Sequence, residues 1–227
     1  SNGETTQAIT VSPSATTTYT VSVTNAGGCT SASVASQVIT VNPLPVATIT
    51  ASASAVCVGT SATLTASAGS SYLWSTGATT AAITVTPTST TSYFVTVTNA
   101  NGCSATSAVT TIGVNPLPVV AAGNDATICA GSSTSLVASG AATYVWSPST
   151  GLSATNTASV TANPSATTTY TVTGTDANGC VNTDQVVVTV SPLPTASITA
   201  SAATICVGAS TTLTANGGSG FTYLWSN

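Results

Sequence analysis

The chain has 227 residues with no Lys, Arg, His or Met, and its side-chain charges are confined to Glu4, Asp125, Asp176 and Asp184, a net charge of −4. Without a basic side chain nothing neutralises phosphate, which excludes nucleic-acid binding and attraction to anionic lipid as main functions. Ser and Thr nucleophiles have no His or Lys to activate them, and the apolar runs, a few residues long, fall far short of the roughly 20 that cross a membrane.

From the amino terminus, Tyr19, Val21 and Val23 alternate with Thr20, Ser22 and Thr24, the period of a half-buried strand with a hydroxylated outer face. The same β-branched pattern predicts strands at 47–52, 61–66, 72–75, 81–86, 92–98 and 105–114, with Tyr93, Val95 and Val97 alternating against Phe94, Thr96 and Thr98. Asn99-Ala100-Asn101-Gly102 and Asp176-Ala177-Asn178-Gly179 read as tight hairpin turns. No stretch has helical spacing, so no helix is expected. Six or seven short antiparallel strands in about 75 residues point to a β-sandwich.

The pattern also repeats. Tyr72-Leu73-Trp74-Ser75-Thr76-Gly77 returns as Tyr223-Leu224-Trp225-Ser226-Asn227, and Ser1-Asn2-Gly3-Glu4-Thr5-Thr6 supplies its continuation. Overlaying Ser226-Asn227 on Ser1-Asn2 gives a period of 225 residues, which Pro43, Pro116 and Pro192 divide into steps of 73, 76 and 76. The expectation is a window on a tandem array of small domains. It holds a carboxyl-terminal part-domain at 1–43, complete domains at 46–116 and 119–192, and an amino-terminal part-domain at 195–227 completed by the next segment or copy. Stiff Pro-x-Pro linkers, Pro43 with Pro45, Pro116 with Pro118 and Pro192 with Pro194, join them, and Leu44, Leu117 and Leu193 are expected to plug the joints.

Landmarks recur in register. Cys57, Cys129 and Cys206 are followed by Trp74, Trp146 and Trp225, while Tyr19, Tyr93 and Tyr170 each lie ten residues before Cys29, Cys103 and Cys180. Cys, Trp, Tyr, Cys is the order of immunoglobulin-like domains, with the second Cys displaced into the final hairpin turn. Six cysteines at paired spacing indicate an oxidising compartment. Spacings of 46 and 51 residues predict one disulfide per domain, Cys57 with Cys103 and Cys129 with Cys180, leaving Cys206 to meet the Cys29-equivalent of the following segment.

These units resemble the immunoglobulin-like and PKD-like tandem repeats of secreted surface proteins of Bacteroidota, the gliding adhesins and giant repeat proteins associated with type IX secretion. The residues that carry the resemblance are Tyr72-Leu73-Trp74-Ser75-Thr76-Gly77, Thr167-Thr168-Thr169-Tyr170-Thr171-Val172, Asn99-Ala100-Asn101-Gly102-Cys103 and Val114-Asn115-Pro116-Leu117-Pro118. The resemblance implies a bacterial surface protein and covers the whole chain.

Side chains present in every module are core more often than site, so Trp74, Trp146, Trp225, Tyr19, Tyr93 and Tyr170 are assigned to the core, each Trp near its disulfide and each Tyr as a tyrosine-corner analogue. Tyr72, on the strand face of Trp74, is the remaining candidate for ligand contact. Asp176 and Asp184 flank Cys180, but Asn25 and Asn99 stand where Asp176 does, so a turn role is preferred to a Ca²⁺ site. No catalytic residue, metal or cofactor is assigned. The chain reads as an extracellular structural array, the stalk or filament body of a surface adhesin, whose partners are further copies of itself. Glycans are possible partners or O-linked decorations, and no Asn-x-Ser/Thr sequon is present. The alternatives are a glycan- or surface-binding module and a laterally assembled fibre subunit.

Overall fold

The computed structural model describes residues 3–32, 34–217 and 220–226; Ser1, Asn2 and Asn227 of the expected two-residue overlap lie outside them. Every regular element among these residues is a strand, and the chain divides into two compact units, Ser1–Pro116 and Leu117–Asn227. The fold is all-β.

In the first unit β1 (Thr17–Val21) and β2 (Ala35–Ile39) form an antiparallel pair. A sandwich follows, built from β3 (Ile49–Ala51), β4 (Ala55–Cys57), β5 (Ala62–Ala66), β6 (Ser71–Trp74), β7 (Ala82–Val85), β8 (Thr91–Tyr93), β9 (Val95–Thr98), β10 (Ser104–Thr106) and β11 (Thr110–Asn115). One sheet runs β3-β5-β7, while β10-β9-β6 and β4-β11-β8 continue one another on the opposite layer. The period-two pattern places Ala62 and Leu64 of β5 and Val95 and Val97 of β9 inward, and they enclose Trp74 with Tyr93 and Ile112 in one core.

The second unit contains β12 (Ala126–Cys129), β13 (Thr134–Val137), β14 (Thr143–Ser147), β15 (Ser159–Ala162), β16 (Thr168–Thr175), β17 (Val181–Ser191), β18 (Ser197–Ala200) and β19 (Leu213–Asn216). Its four-stranded sheet β12-β17-β16-β14 faces the pair β13-β15 across Trp146, Leu136, Val160, Tyr170, Val172, Val186 and Val188, and β18-β19 form a separate pair.

Two departures from the expected strands matter. The hairpin predicted at 92–98 and 105–114 is interrupted in the first sandwich, because Ser104 opposes Thr98 whereas Thr110 opposes Tyr93, a register that has gained one residue on the second arm. This is a β-bulge, and the buried Ser107 fills the gap: its hydroxyl accepts from Val95 N at 3.2 Å and its own N–H donates to Val95 O at 2.9 Å. In the second sandwich the matching hairpin pairs without a break from Thr168 opposite Val188 to Thr175 opposite Val181. The other departure is the unexpected β4, which pairs parallel to β11 with Cys57 opposite Asn115; β12 does the same against β17, Cys129 opposite Ser191.

The linker leucines do not plug joints: Leu44, Leu117 and Leu193 are all exposed. Asparagine side chains, one in the 99–102 turn and one on β17, hold linker carbonyls instead. Asn99 Nδ2 donates to Pro43 O at 3.0 Å, and Asn182 Nδ2 donates to Pro118 O at 3.0 Å.

Candidate functional site

Most of the repeated aromatic groups are engaged inside their own sandwich. Trp74 and Trp146 are each 2 % exposed, and their indole N–H groups donate to Thr80 O at 2.8 Å and Thr157 O at 3.0 Å. Tyr170 is fully buried and its hydroxyl donates to Thr150 O at 2.7 Å, a backbone-anchored tyrosine of the corner type; burial pushes its pKa up, and a contact with Thr168 pulls the other way. Tyr93 is buried in the companion core. No cysteine belongs to either core cluster, so the tryptophans pack against Val and Leu rather than against a disulfide.

Tyr72 is half-buried against the core. Its hydroxyl accepts from Gly69 N at 3.0 Å and donates to Gly69 O at 3.1 Å. Tyr144 repeats this on Ala141 at 2.9 and 2.8 Å. These clamps close the loop ahead of β6 and β14 and satisfy both capacities of the phenol. A Tyr two residues before each Trp is the sequence signal for them.

Each acidic residue of the second unit serves the backbone. Asp176 Oδ1 accepts from Asn178 N at 2.9 Å and Cys180 N at 2.8 Å, and Asn25 and Asn99 hold their own turns in the same way. Gly179 completes the turn at φ 80°, a conformation that costs glycine nothing. Asp184 Oδ2 accepts from Ala122 N at 2.8 Å, the main reason its pKa lies below the usual value, and Asp125 Oδ1 accepts from Val187 N at 2.8 Å. Asp176 and Asp184 are therefore committed to different amides. The outer faces are hydroxylated and largely self-satisfied, with Thr98 on Ser104, Thr96 on Thr106 and Ser92 on Thr111 paired across strands at 2.8 to 3.0 Å.

The cysteines overturn the expected pairing. Cys57 and Cys180 are disulfide-bonded, whereas Cys103 and Cys129, their expected partners, are free thiols, as are Cys29 and Cys206. The parallel strands give the reason. Cys129 lies opposite Ser191 at the end of β17, while Cys180 immediately precedes Val181 at its start. Eleven strand residues separate these ends by about 35 Å, against a limit of about 7 Å between the Cα atoms of a disulfide. Cys57 opposite Asn115 and Cys103 just before β10 are likewise at opposite poles.

In the terminal pieces the same motif residues are not covered: Trp225 is 49 % exposed and Tyr19 is half-buried. Residues 194–198, 215–217 and 221–225 line an open apolar groove of about 240 Å³.

No protein-family model matches the chain, and no curated protein matches it in sequence. Among solved structures it is similar to the fibronectin(III)-like modules of Clostridium thermocellum CbhA, at 11% identity over 63% of this chain and 94% of that one with a TM-score of 0.35. It is similar also to a Ca²⁺-stabilised adhesin with which an Antarctic bacterium binds ice, at 17% identity over 81% of this chain and 59% of that one, TM-score 0.37. A third is a 1.5-MDa bacterial ice-binding adhesin, at 15% identity over 77% of this chain and 74% of that one, TM-score 0.34.

Proposed function

We propose that this chain is a stretch of an extracellular structural array of the Bacteroidota repeat type, the stalk or filament body of a bacterial surface adhesin. Its domains would be 46–116 and 119–192, with part-domains at 1–43 and 195–227. The observation that carries the reading is where the polar tips go. The indoles of Trp74 and Trp146, the phenols of Tyr72, Tyr144 and Tyr170, and the carboxylates of Asp125, Asp176 and Asp184 all bond backbone groups of their own unit. A module that spends its chemistry on its own backbone is suited to being repeated rather than to turning over a substrate.

Two further features support it. Disulfide-bonded cysteines, as Cys57 and Cys180 each are, belong to an oxidising compartment, and a chain without Lys or Arg offers trypsin-like proteases no cleavage site. The partners are further copies of the array, with sugar on the Ser and Thr faces as the remaining candidate.

The test is the mass of the native material after reduction and denaturation, together with its location by antibody labelling. Surface labelling and a mass of many 225-residue periods are expected. A reduced mass of 21.8 kDa replaces the tandem stalk with a fibre of separate subunits. Binding to a glycan panel that is lost in Tyr72→Ala replaces it with a sugar-binding module.

A further inference from the structure

We propose that the first sandwich carries a binding platform for a neutral polysaccharide, centred on Phe94 and flanked by rungs of paired hydroxyls. Between residues 46 and 192 the aromatic side chains repeat from one sandwich to the other, Tyr72 with Tyr144, Trp74 with Trp146 and Tyr93 with Tyr170, and Phe94 alone does not. The residue after the corner tyrosine is Thr171 in the second sandwich and Thr20 in the amino-terminal piece. The repeated aromatics are engaged within their own sandwich. Phe94 lies between the buried Tyr93 and Val95, on the outer face of the sheet, and is 43 % exposed. A ring held in water where the other units have a hydroxyl adds nothing to the core, so its use lies outside the sandwich.

The bulge builds its surroundings. Ser107 is bonded to Val95 on one side of the break and Thr110 opposes Tyr93 on the other, so the second arm passes Phe94 with two residues, Ala108 and the exposed Val109. Bulges re-aim side chains in this way. In the second sandwich the hairpin is unbroken at this level, and Gln185 stands opposite Thr171 and donates to its hydroxyl at 3.2 Å. On the other flank Trp74 opposes Val95 and Leu73 opposes Thr96, which places the exposed Leu73 diagonally from Phe94, within reach of an aromatic ring. Along the strand the ring interrupts a ladder of hydroxyls, with Thr96 paired to Thr106 before the break and Ser92 paired to Thr111 after it. Each rung spends one of its two O–H donors internally and keeps the other, with spare lone pairs, for a ligand.

Charge selects the occupant. Residues 46–116 contain no Asp, Glu, Lys, Arg or His, so the platform has no counter-charge for a charged peptide, a nucleic acid or an acidic polysaccharide. The ligand that fits is neutral and combines apolar faces with many hydroxyls. A hexose does both: its axial C–H bonds carry slightly positive hydrogens that settle on the negative face of the Phe94 ring, and its rim hydroxyls bond the neighbouring rungs. A polymer fits better than a single sugar. Outward residues recur every 7 Å or so along a strand, so the rungs at Ser92 and Thr96 lie about 14 Å apart, farther than one hexose extends, with Phe94 midway. Such a platform serves a stalk and a separate subunit alike, and its test needs no knowledge of the native mass.

The full chain, prepared without glycosylation, moves toward the anode in a native gel because its net charge is −4, and a polysaccharide cast into the gel retards what binds it. Dextran, mannan and hydroxyethylcellulose are the neutral probes and polygalacturonate the charged control. Retardation is expected in at least one neutral gel and not with polygalacturonate. Phe94→Thr, which copies the other units, is expected to weaken binding about tenfold or more, and Phe94→Trp to retain it. The near-ultraviolet dichroism of Trp74 and Trp146 is expected to persist in Phe94→Thr, and Leu73→Thr, at an exposed position on the same face, gives a second and smaller loss of binding. Migration unaffected by all three neutral polysaccharides overturns the proposal, as does retardation that both variants leave unchanged. Retardation lost in Tyr72→Ala but kept in Phe94→Thr moves the sugar to Tyr72 and overturns it equally. Sedimentation that shows a dimer abolished by Phe94→Thr, with no retardation in any gel, gives the patch to a second copy of the chain instead.

Discussion

Trp146 and Trp225 occupy the same motif, Tyr-Val-Trp-Ser in one case and Tyr-Leu-Trp-Ser in the other, yet the first is 2 % exposed and the second 49 %. The difference is the hairpin opposite. Trp146 lies on β14, paired with β16, whose Val172 faces it across the sheet; 221–226 form no strand, and β19 pairs only with β18. The amino-terminal pair β1 and β2 is a hairpin of that type, carrying Tyr19 at the position of Tyr170, and it lacks the layer that would cover Val21 and Val38, which are 57 % and 51 % exposed. A motif therefore sets which side chain is offered to a core, and the strands of the rest of the domain decide whether there is one.

The largest effect expected is the one that breaks this comparison. Trp146→Ala removes a filled volume between two sheets and is expected to destabilise the second sandwich by about 3–5 kcal/mol, whereas Trp225→Ala stays within about 0.5 kcal/mol. Denaturant unfolding followed by near-ultraviolet dichroism measures both, and equal effects would mean that the terminal motif is already packed.

A second experiment sharpens it. When residue 225 is continued into a second copy of the chain, the terminal piece meets a β1-β2 hairpin, and Trp225 is expected to become as buried as Trp146. Its fluorescence should shift to shorter wavelength, and Trp225→Ala in that longer chain should then cost about 3 kcal/mol or more. Emission that stays solvent-like would show that the two pieces do not complement each other.

How much of this was legible in the sequence follows from which interactions leave a local trace. Alternation placed β5, β6 and β7, because an inward Leu64 or Trp74 must recur every second residue. The Asn-x-x-Gly turns were legible for the same reason: Asn99 and Asp176 bond amides two and four residues away. Three-residue β4 was not, since Ala55-Val56-Cys57 has too few positions to show a period and its partner Gly113-Val114-Asn115 is far along the chain. That one strand decides the disulfides: equal spacing between cysteines is compatible with either pole, and only the parallel direction of β4 and β12 separates them. The leucines of the linkers misled because hydrophobicity was read as contact, while the joints are gripped by Asn99 and Asn182.

A smaller effect compares two glycines. A Cβ on Gly174, in β16, would meet Val120 Cγ2 at 2.6 Å and Ala141 Cβ at 2.8 Å, both attached to ordered backbone, whereas on Gly217 it would meet chiefly the Tyr223 hydroxyl at 2.9 Å, the far end of a side chain that can swing away. Gly174→Ala is expected to cost about 1–3 kcal/mol and Gly217→Ala less than about 0.5 kcal/mol, read from thermal unfolding. Matching costs would show that the groove beside Tyr223 is as rigid as the core.

The smallest effect separates the two sandwiches by acid. Residues 46–116 contain no ionisable carboxylate, whereas Asp125, Asp176 and Asp184 all belong to the second unit. Of these, Asp184 has its pKa held below the ordinary 3.8 by the Ala122 N–H and, secondarily, by that of Gln185. A carboxylate depressed in the folded state binds protons more readily when unfolded, so its contribution is fully present above about pH 5 and is lost as pH falls through the ordinary value toward the folded one. Asp184→Asn keeps an acceptor for Ala122 without the charge, and its stability should not change through this group. Hydrogen exchange of the amides of β5 and β13 at pH 7 and pH 2.5 reads each sandwich separately, after correction for the intrinsic exchange rate. Protection of β13 is expected to fall with acid more in the wild type than in Asp184→Asn, while protection of β5 holds in both. Equal acid sensitivity of β5 and β13, or no difference between wild type and variant, would show that the Ala122 contact carries no differential stability.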